Sequence, residues 1–288
     1  MEPRNAKTVH PPFPGPSAHR ALDGESLSRN FDIRPVTSPS GLRECIDLQR
    51  EIWGLDEAGA TSPITLGALA MEPSPAGLVL SAYRDGRMVG MAVVLATMDE
   101  RTAYGHMLGV LPGERNTGLG SELKRVVFEV LRRKGMRRFR WTFEPMESRN
   151  AHLYVNRFGA RCLAYKVDCF QVESGMHQGL PLDRLLAECG LDARPERKPR
   201  PPRSGLKGAP VAAPGRMPFA EAVLLPIPSD LNSLKERDMG AAMAFRLATR
   251  EVLLEYLNRR GYAVSAFFPP DPPESDRAHY LLTRESPS

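Results

Sequence analysis

Cysteine is scarce in this chain. The four present, Cys45, Cys162, Cys169 and Cys189, form no C-x-x-C pair and have no histidine at zinc-ligand spacing, so neither a metal site nor a disulfide framework is indicated. Long apolar runs are also lacking: none approaches the ~20 residues that cross a bilayer, and no membrane partner is expected. The first 30 residues carry charge and proline without the apolar block and small-residue cleavage site of a secretory signal, so a cytoplasmic location is expected. Aromatics make up only 7% of the chain. None stands in the basic stretch from Arg194 to Arg216, where base stacking would need one.

What is present is ordinary for a soluble protein: 42% hydrophobic and 25% charged residues over 288 positions, enough for one large domain or a core with an appendage. The net charge is +5. Much of the excess is local, since Arg194, Arg197, Lys198, Arg200, Arg203, Lys207 and Arg216 face a single acid, Glu196, among interleaved prolines. A solvated linker is the reading preferred over a nucleic-acid-binding arm.

Residues 1–30 lack a periodic apolar pattern and are expected to form a disordered tail. Ile33 to Val36 reads as a strand, and Leu42, Cys45, Ile46, Gln49, Ile52 and Trp53 mark a helix over 40–54. Two apolar runs, 77–83 and 88–96, flank Asp85-Gly86, a strong hairpin signal. A strand over 103–110, a helix over 121–133 and a strand over 136–143 follow. A short helix over 149–157 then leads to Phe158-Gly159-Ala160 and a strand over 161–172. This order predicts an α/β (α+β) fold with a mixed sheet flanked by helices. Beyond a Pro/Arg-rich linker at 193–218, strand 221–227, helix 239–259 and strands 262–268 and 279–282 predict a small α+β extension over 219–288 that docks on the first domain, 31–192. No internal repeat is evident.

The most informative passage runs from Gly105 to Ser121, a strand, a tight turn and a helix start. Glycines let backbone approach a ligand, and the first amides of a helix are unpaired donors at its positive end, so a pyrophosphate fits there. Gly113 to Gly118 has P-loop spacing, but Leu119-Gly120 stands where Lys-Ser/Thr is needed. Gly118-Leu-Gly120 lacks the third glycine of the dinucleotide fingerprint, with Leu123 in its place. An NTPase and a Rossmann reading are both disfavoured.

Arg115-Asn116-Thr117-Gly118-Leu119-Gly120 resembles the Gln/Arg-x-x-Gly-x-Gly/Ala loop of the GNAT superfamily of acyl-CoA N-acyltransferases, and the element order over about residues 31–190 resembles that fold. Gly105 to Val110, Trp141 to Pro145 and Ser148 to Leu153 are similar to a poorly characterised branch that carries a C-terminal extension like Arg246-Leu-Ala-Thr-Arg250 followed by Arg260-Gly-Tyr262. The resemblance implies acyl transfer, acetyl or succinyl, from an acyl-CoA to a small-molecule amine such as an amino acid, by direct attack in a ternary complex. A catalytically weak CoA-binding module is the alternative, with a nucleic-acid binder behind it. A homodimer is a further expectation.

The same resemblance implies residue roles. His106, four residues before Val110, is the candidate base, against the plain reading that it fills a sheet position. The Val110 amide would polarise the thioester carbonyl, and the amides of Thr117, Gly118, Leu119, Gly120 and Ser121, with Asn116 and the charge of Arg115, would hold the pyrophosphate. The proton donor to the leaving thiolate stands four residues before the glycine in related enzymes; counted from Gly159 this is Val155, so Tyr154 is one residue out of register. A one-residue adjustment of the helix, protonation by solvent, and a packing role for Tyr154 all stay open. Asn150 is a candidate pantetheine contact or, with Ser148, a helix cap. Arg246 and Arg250, four apart on one helix, are either a carboxylate clamp for the substrate or an exposed basic stripe.

Overall fold

The computed structural model describes residues 28, 30–56, 59–71, 76–170, 179–192, 208–273 and 275–284. Of the tail expected at 1–30, residues 1–27 and 29 lie outside these, as does the first part of the linker, 193–207. The chain forms two compact units, residues 1–48 with 61–137 and residues 49–60 with 138–288.

The first unit orders its strands β1-β2-β3-β4, with β1 Asp32–Pro35, β2 Gly77–Arg84, β3 Arg87–Ala96 and β4 Thr102–Val110, all antiparallel. Asp85 and Gly86, at φ 50° and 78°, make the two-residue hairpin turn that the sequence announces. Helix α1, Pro39–Trp53, matches its apolar spacing, and α2, Pro63–Ala70, is an addition the sequence reading missed. Helix α3, Leu119–Arg133, has the most regular apolar stripe: Leu119, Leu123, Val126, Val127 and Val130 are buried while Arg125 and Arg133 face solvent. It lies so close to β3 that a Cβ on Gly90 would stand 3.0 Å from Leu123 Cδ1. Leu123→Ala is therefore expected to cost about 2–5 kcal/mol of stability, read from the urea midpoint at constant slope.

The second unit orders its strands β5-β7-β6-β9-β10-β8: β5 Arg138–Phe143, β6 Arg161–Lys166, β7 Arg184–Gly190, β8 Ala222–Pro228, β9 Tyr262–Phe268 and β10 Arg277–Arg284. Its helices are α4 Ser148–Ala151, α5 Leu231–Arg237 and α6 Met239–Leu253. Two of them run on into π-helical turns, α4 into His152–Arg157 and α6 into Leu254–Arg259. The strand read over 161–172 stops at Lys166, and a turn with Asp168 at φ 44° follows. Strand β7 and helix α5 escaped the sequence reading. The basic stretch also divides: Ala212 is fully buried and donates to the Leu224 carbonyl at 2.8 Å, while Tyr256 donates to the Pro218 carbonyl at 2.6 Å. The segment 210–218 is thus anchored to this unit at Ala212 and Pro218, while Val211 and Pro214 to Arg216 stay exposed. Finally, the unit runs through one pattern twice, a strand, a helical segment ending in a π turn, then two strands, with α5 added in the second pass; an internal repeat is present after all.

No helix among the described residues is long and apolar enough to cross a membrane. The four cysteines are free, and the described residues contain no cluster placed to hold a metal ion.

Candidate active site

Strand β4 positions the first group. Its pairing runs Gly90 with Val110, Met91 with Gly109, Ala92 with Leu108 and Val93 with Met107, then passes over His106 and resumes at Val94 with Gly105. His106 is the extra residue of a β-bulge, which turns a side chain out of the regular alternation. The imidazole is exposed, with Nε2 3.1 Å from Thr61 Oγ1. The same hydroxyl donates to Met107 Sδ at 3.5 Å. Although one side of the ring meets solvent, desolvation against the protein lowers its pKa below the ordinary 6.5. The ring is therefore neutral near physiological pH, the form a general base needs.

The end of β4 sets a second group. Leu111 donates its amide to the Val89 carbonyl at 2.9 Å. Amides alternate in direction along an antiparallel strand, so the N–H of Val110 points away from β3.

The chain then passes a 3₁₀ turn, Pro112–Glu114, and enters the left-handed region at Asn116 (φ 66°) and Gly118 (φ 94°). Thr117 stitches this turn together: its hydroxyl donates to the Glu114 carbonyl at 2.8 Å and accepts from the Leu119 amide at 3.4 Å. Glu114 is itself held by Arg84 at 2.9 Å. The first backbone bond of α3 joins the Glu122 amide to the Gly118 carbonyl at 3.0 Å. The amides of Gly118, Gly120 and Ser121 come ahead of that bond, at the positive end of the helix, and Gly118 offers no side-chain cap. A Cβ on Gly118 would meet nothing within 4 Å, and one on Gly120 only Val110 Cγ1 at 4.0 Å. The space beside these amides is open, and Arg115 and Asn116 are exposed next to it. Donors, positive potential and room together fit the diphosphate of a coenzyme A thioester.

The remaining sequence candidates belong to the second unit. Tyr154 lies in the π turn, packed edge-on against Trp141 and Phe143 with ring centroids 5.3 and 5.2 Å away. Burial pushes its pKa up to about 12. The π turn inserts one residue relative to α-helical spacing: the Phe158 amide reaches back five residues to the Leu153 carbonyl, at 3.1 Å. Asn150 is half-buried and does not cap the helix. That role falls to Glu147, whose carboxylate accepts from the Arg149 amide at 3.3 Å, while Ser148 donates to the Pro228 carbonyl at 2.8 Å.

Arg246 and Arg250 are not an exposed stripe. Arg246 is 1% exposed and donates through Nη2 to Glu144, which also accepts from the Met146 amide and lies 3.5 Å from Arg184. Burial opposes the charge of Arg246, yet the Glu144 carboxylate outweighs it and raises the pKa. Arg250 engages both oxygens of Asp183, at 2.9 and 2.8 Å. Burial pushes Asp183 up, but Arg250 and the Tyr165 hydroxyl, which donates to it at 2.6 Å, hold it below the usual carboxylate range. The sequence reading missed Glu144, Asp183 and Thr61; the side chains they pair with, Arg246, Arg250 and His106, lie far from them in sequence.

An open glycine turn between a bulged strand and an amphipathic helix presents unpaired amides where an anion such as a diphosphate fits. Residues 42–160 match the model of the acetyltransferase (GNAT) family. Over those residues the chain is thus similar to GNAT acetyltransferases. Similar solved structures include the ribosomal-protein-S18-alanine N-acetyltransferase of Escherichia coli, at 14% identity over 57% of this chain and 95% of that one, TM-score 0.45. A GNAT-family acetyltransferase of Streptococcus pneumoniae aligns at 20% identity over 56% and 98%, TM-score 0.46. The PaiA N-acetyltransferase of Thermoplasma acidophilum, in complex with coenzyme A, aligns at 16% identity over 56% and 98%, TM-score 0.40. No curated protein matches the sequence.

Proposed function

We propose that the protein is a cytoplasmic N-acyltransferase that moves an acetyl or succinyl group from acyl-CoA to the amine of a small molecule, an amino acid or a related metabolite. The observation that carries this reading is the open amide turn from Arg115 to Ser121, which has the donors and the space for a diphosphate. The thioester supplies an activated carbonyl. On the protein side, His106 takes a proton from the acceptor ammonium, directly or through water, so that the amine can attack. The Val110 amide serves the carbonyl oxygen as a hydrogen-bond donor. Asn116 and the amides of Thr117, Gly118, Gly120 and Ser121 hold the diphosphate, with Arg115 adding charge, and Asn150 contacts the pantetheine; the Leu119 amide, expected in the same role, instead donates to the Thr117 hydroxyl. Tyr154, protonated throughout the working pH range, is the candidate donor to the leaving thiolate.

On the acceptor side Arg246 is favoured over Arg250. The guanidinium of Arg250 is committed side-on to Asp183, whereas Nε and Nη1 of Arg246 are buried without a hydrogen-bond partner. The N–H groups of this buried guanidinium suit a carboxylate, with the Tyr165 hydroxyl competing for them. Arg246→Lys is expected to raise the KM for a carboxylate-bearing substrate about tenfold or more, the effect of one charged hydrogen bond, while leaving the KM of the other substrate unchanged. Arg250→Lys should change neither. Equal effects of the two substitutions would remove Arg246 from this role.

The test of the main reading is release of free thiol from acetyl-, succinyl- and propionyl-CoA with a panel of amino acids. Failure of all three to turn over would overturn it. The aromatic packing of Tyr154 favours a second reading, a catalytically weak CoA-binding module, in which His106→Ala would leave the residual turnover unchanged.

A further inference from the structure

The strand order of the second unit reads the same from either end: β5-β7-β6 on one side, β8-β10-β9 on the other, with β6 and β9 paired at the centre. The correspondence extends to single residues. Tyr154-Val-Asn-Arg-Phe-Gly159 and Tyr256-Leu-Asn-Arg-Arg-Gly261 share one pattern, and each forms a π turn. Both turns end at a residue with φ near −100° followed by a left-handed glycine, Gly159 at φ 65° and Gly261 at φ 70°. In each a backbone bond of 3.1 Å closes the turn, Phe158 to Leu153 in one and Arg260 to Glu255 in the other. Three residues past each glycine stand Cys162 and Val264, and these two pair with each other across the centre. One residue further on, β6 and β9 each carry a bulge, at Leu163 and at Ser265.

The two asparagines of the motif exchange equivalent contacts. Asn156 donates to the Phe267 carbonyl at 2.8 Å and accepts from the Phe267 amide at 3.2 Å. Asn258 donates to the Tyr165 carbonyl at 3.0 Å and accepts from the Tyr165 amide at 2.9 Å. Tyr165 and Phe267 are each six residues beyond their own glycine. This is the reciprocity of a two-fold interface between identical subunits, in which residue i meets j and j meets i. Here both sides belong to one chain.

We propose that residues 222–284 are a second copy of the half-domain 138–190 and act as a built-in partner subunit, closing inside one molecule the edge of β6 that a second chain would otherwise have to cover. An unpaired strand edge is a template for association, and this one is covered by the Cys162–Val264 pair and by Asn258 bonded to the Tyr165 backbone. The second copy serves this structural role and not a second reaction, because its tyrosine hydroxyl, that of Tyr256, is committed to the Pro218 carbonyl. The homodimer expected from the sequence is then not formed through β6. The proposal rests on the second unit alone and stands or falls apart from the acyl-transfer reading.

Hydrogen exchange of the full-length protein tests it, read at the Tyr165 and Phe267 amides. Asn258→Ala should speed exchange at Tyr165, and Asn156→Ala at Phe267, each roughly tenfold for the one lost hydrogen bond. A silent variant beside an affected one would show that the two halves are not equivalent. In the unmodified protein, protection of both amides should be the same at high and at low protein concentration, with sedimentation recording the mass at each. Loss of protection together with dissociation of a dimer would show that another chain closes the edge, and the proposal would fail.

Discussion

Gly120→Val is expected to cut acyl-CoA affinity about a hundredfold while leaving the folded protein almost as stable as before. The position combines two properties. A side chain there would find no protein atom in its way apart from Val110 Cγ1 at 4.0 Å, so folding has no steric objection to it. Yet its branches would stand among the amides that precede the first bond of α3, filling the space proposed for the diphosphate. The figure corresponds to losing about two charge-assisted hydrogen bonds at roughly 1.5 kcal/mol each. Gly118→Val gives the contrasting result, because Gly118 sits at φ 94° and an L side chain strains that backbone; stability falls by about 1–2 kcal/mol together with affinity. Calorimetric titration with acetyl-CoA, paired with thermal unfolding, separates the two. Unchanged affinity in folded Gly120→Val would remove the diphosphate cradle.

The second large effect is on the chemical step. His106→Ala is expected to lower kcat about 10²–10⁴-fold, the range of a positioned general base, with little change in the KM of acyl-CoA. Its pH dependence follows from the direction of the pKa shift. Burial lowers the pKa, so the neutral, active ring forms already below pH 6.5. Activity should therefore rise with pH through a limb whose midpoint is below 6.5 and stay level above it, and His106→Ala should abolish that limb. A limb that survives in the variant would assign the proton to another group.

How much of this was legible in the sequence depended on whether the signal was local. The hairpin at Asp85-Gly86, the stripe of α3 and the glycine turn were all visible, since each is set by residues adjacent or one turn apart. Helix α2 was overlooked because Ile64, Leu66, Gly67, Ala68, Leu69 and Ala70 show no polar face. Its start signals, Ser62 as a cap for the Thr65 amide and Pro63 in the first turn, were available. Helix α5 likewise had its cap in Asp230. The bulge at His106 left no trace, because a two-residue alternation does not show where one extra residue is inserted. The burial of Arg246 was hidden for a different reason: its carboxylate partner lies 102 residues away. The repeated Tyr-x-Asn-Arg-x-Gly was readable, but six residues in a chain with no other obvious self-similarity do not stand out until the strands are laid side by side.

The pairing of β6 with β9 also sets an order of events at the ribosome. β6 is complete by Lys166, while its neighbour begins only at Tyr262, so the first half-domain must leave the exit tunnel with one side of its sheet uncovered. Closure waits until the chain has grown by a further 96 residues, from Lys166 to Tyr262. Long-range pairings of this kind form slowly and leave their strands exposed to wrong partners in the meantime. Nascent chains of this protein therefore have most need of a chaperone in the interval between those two strands.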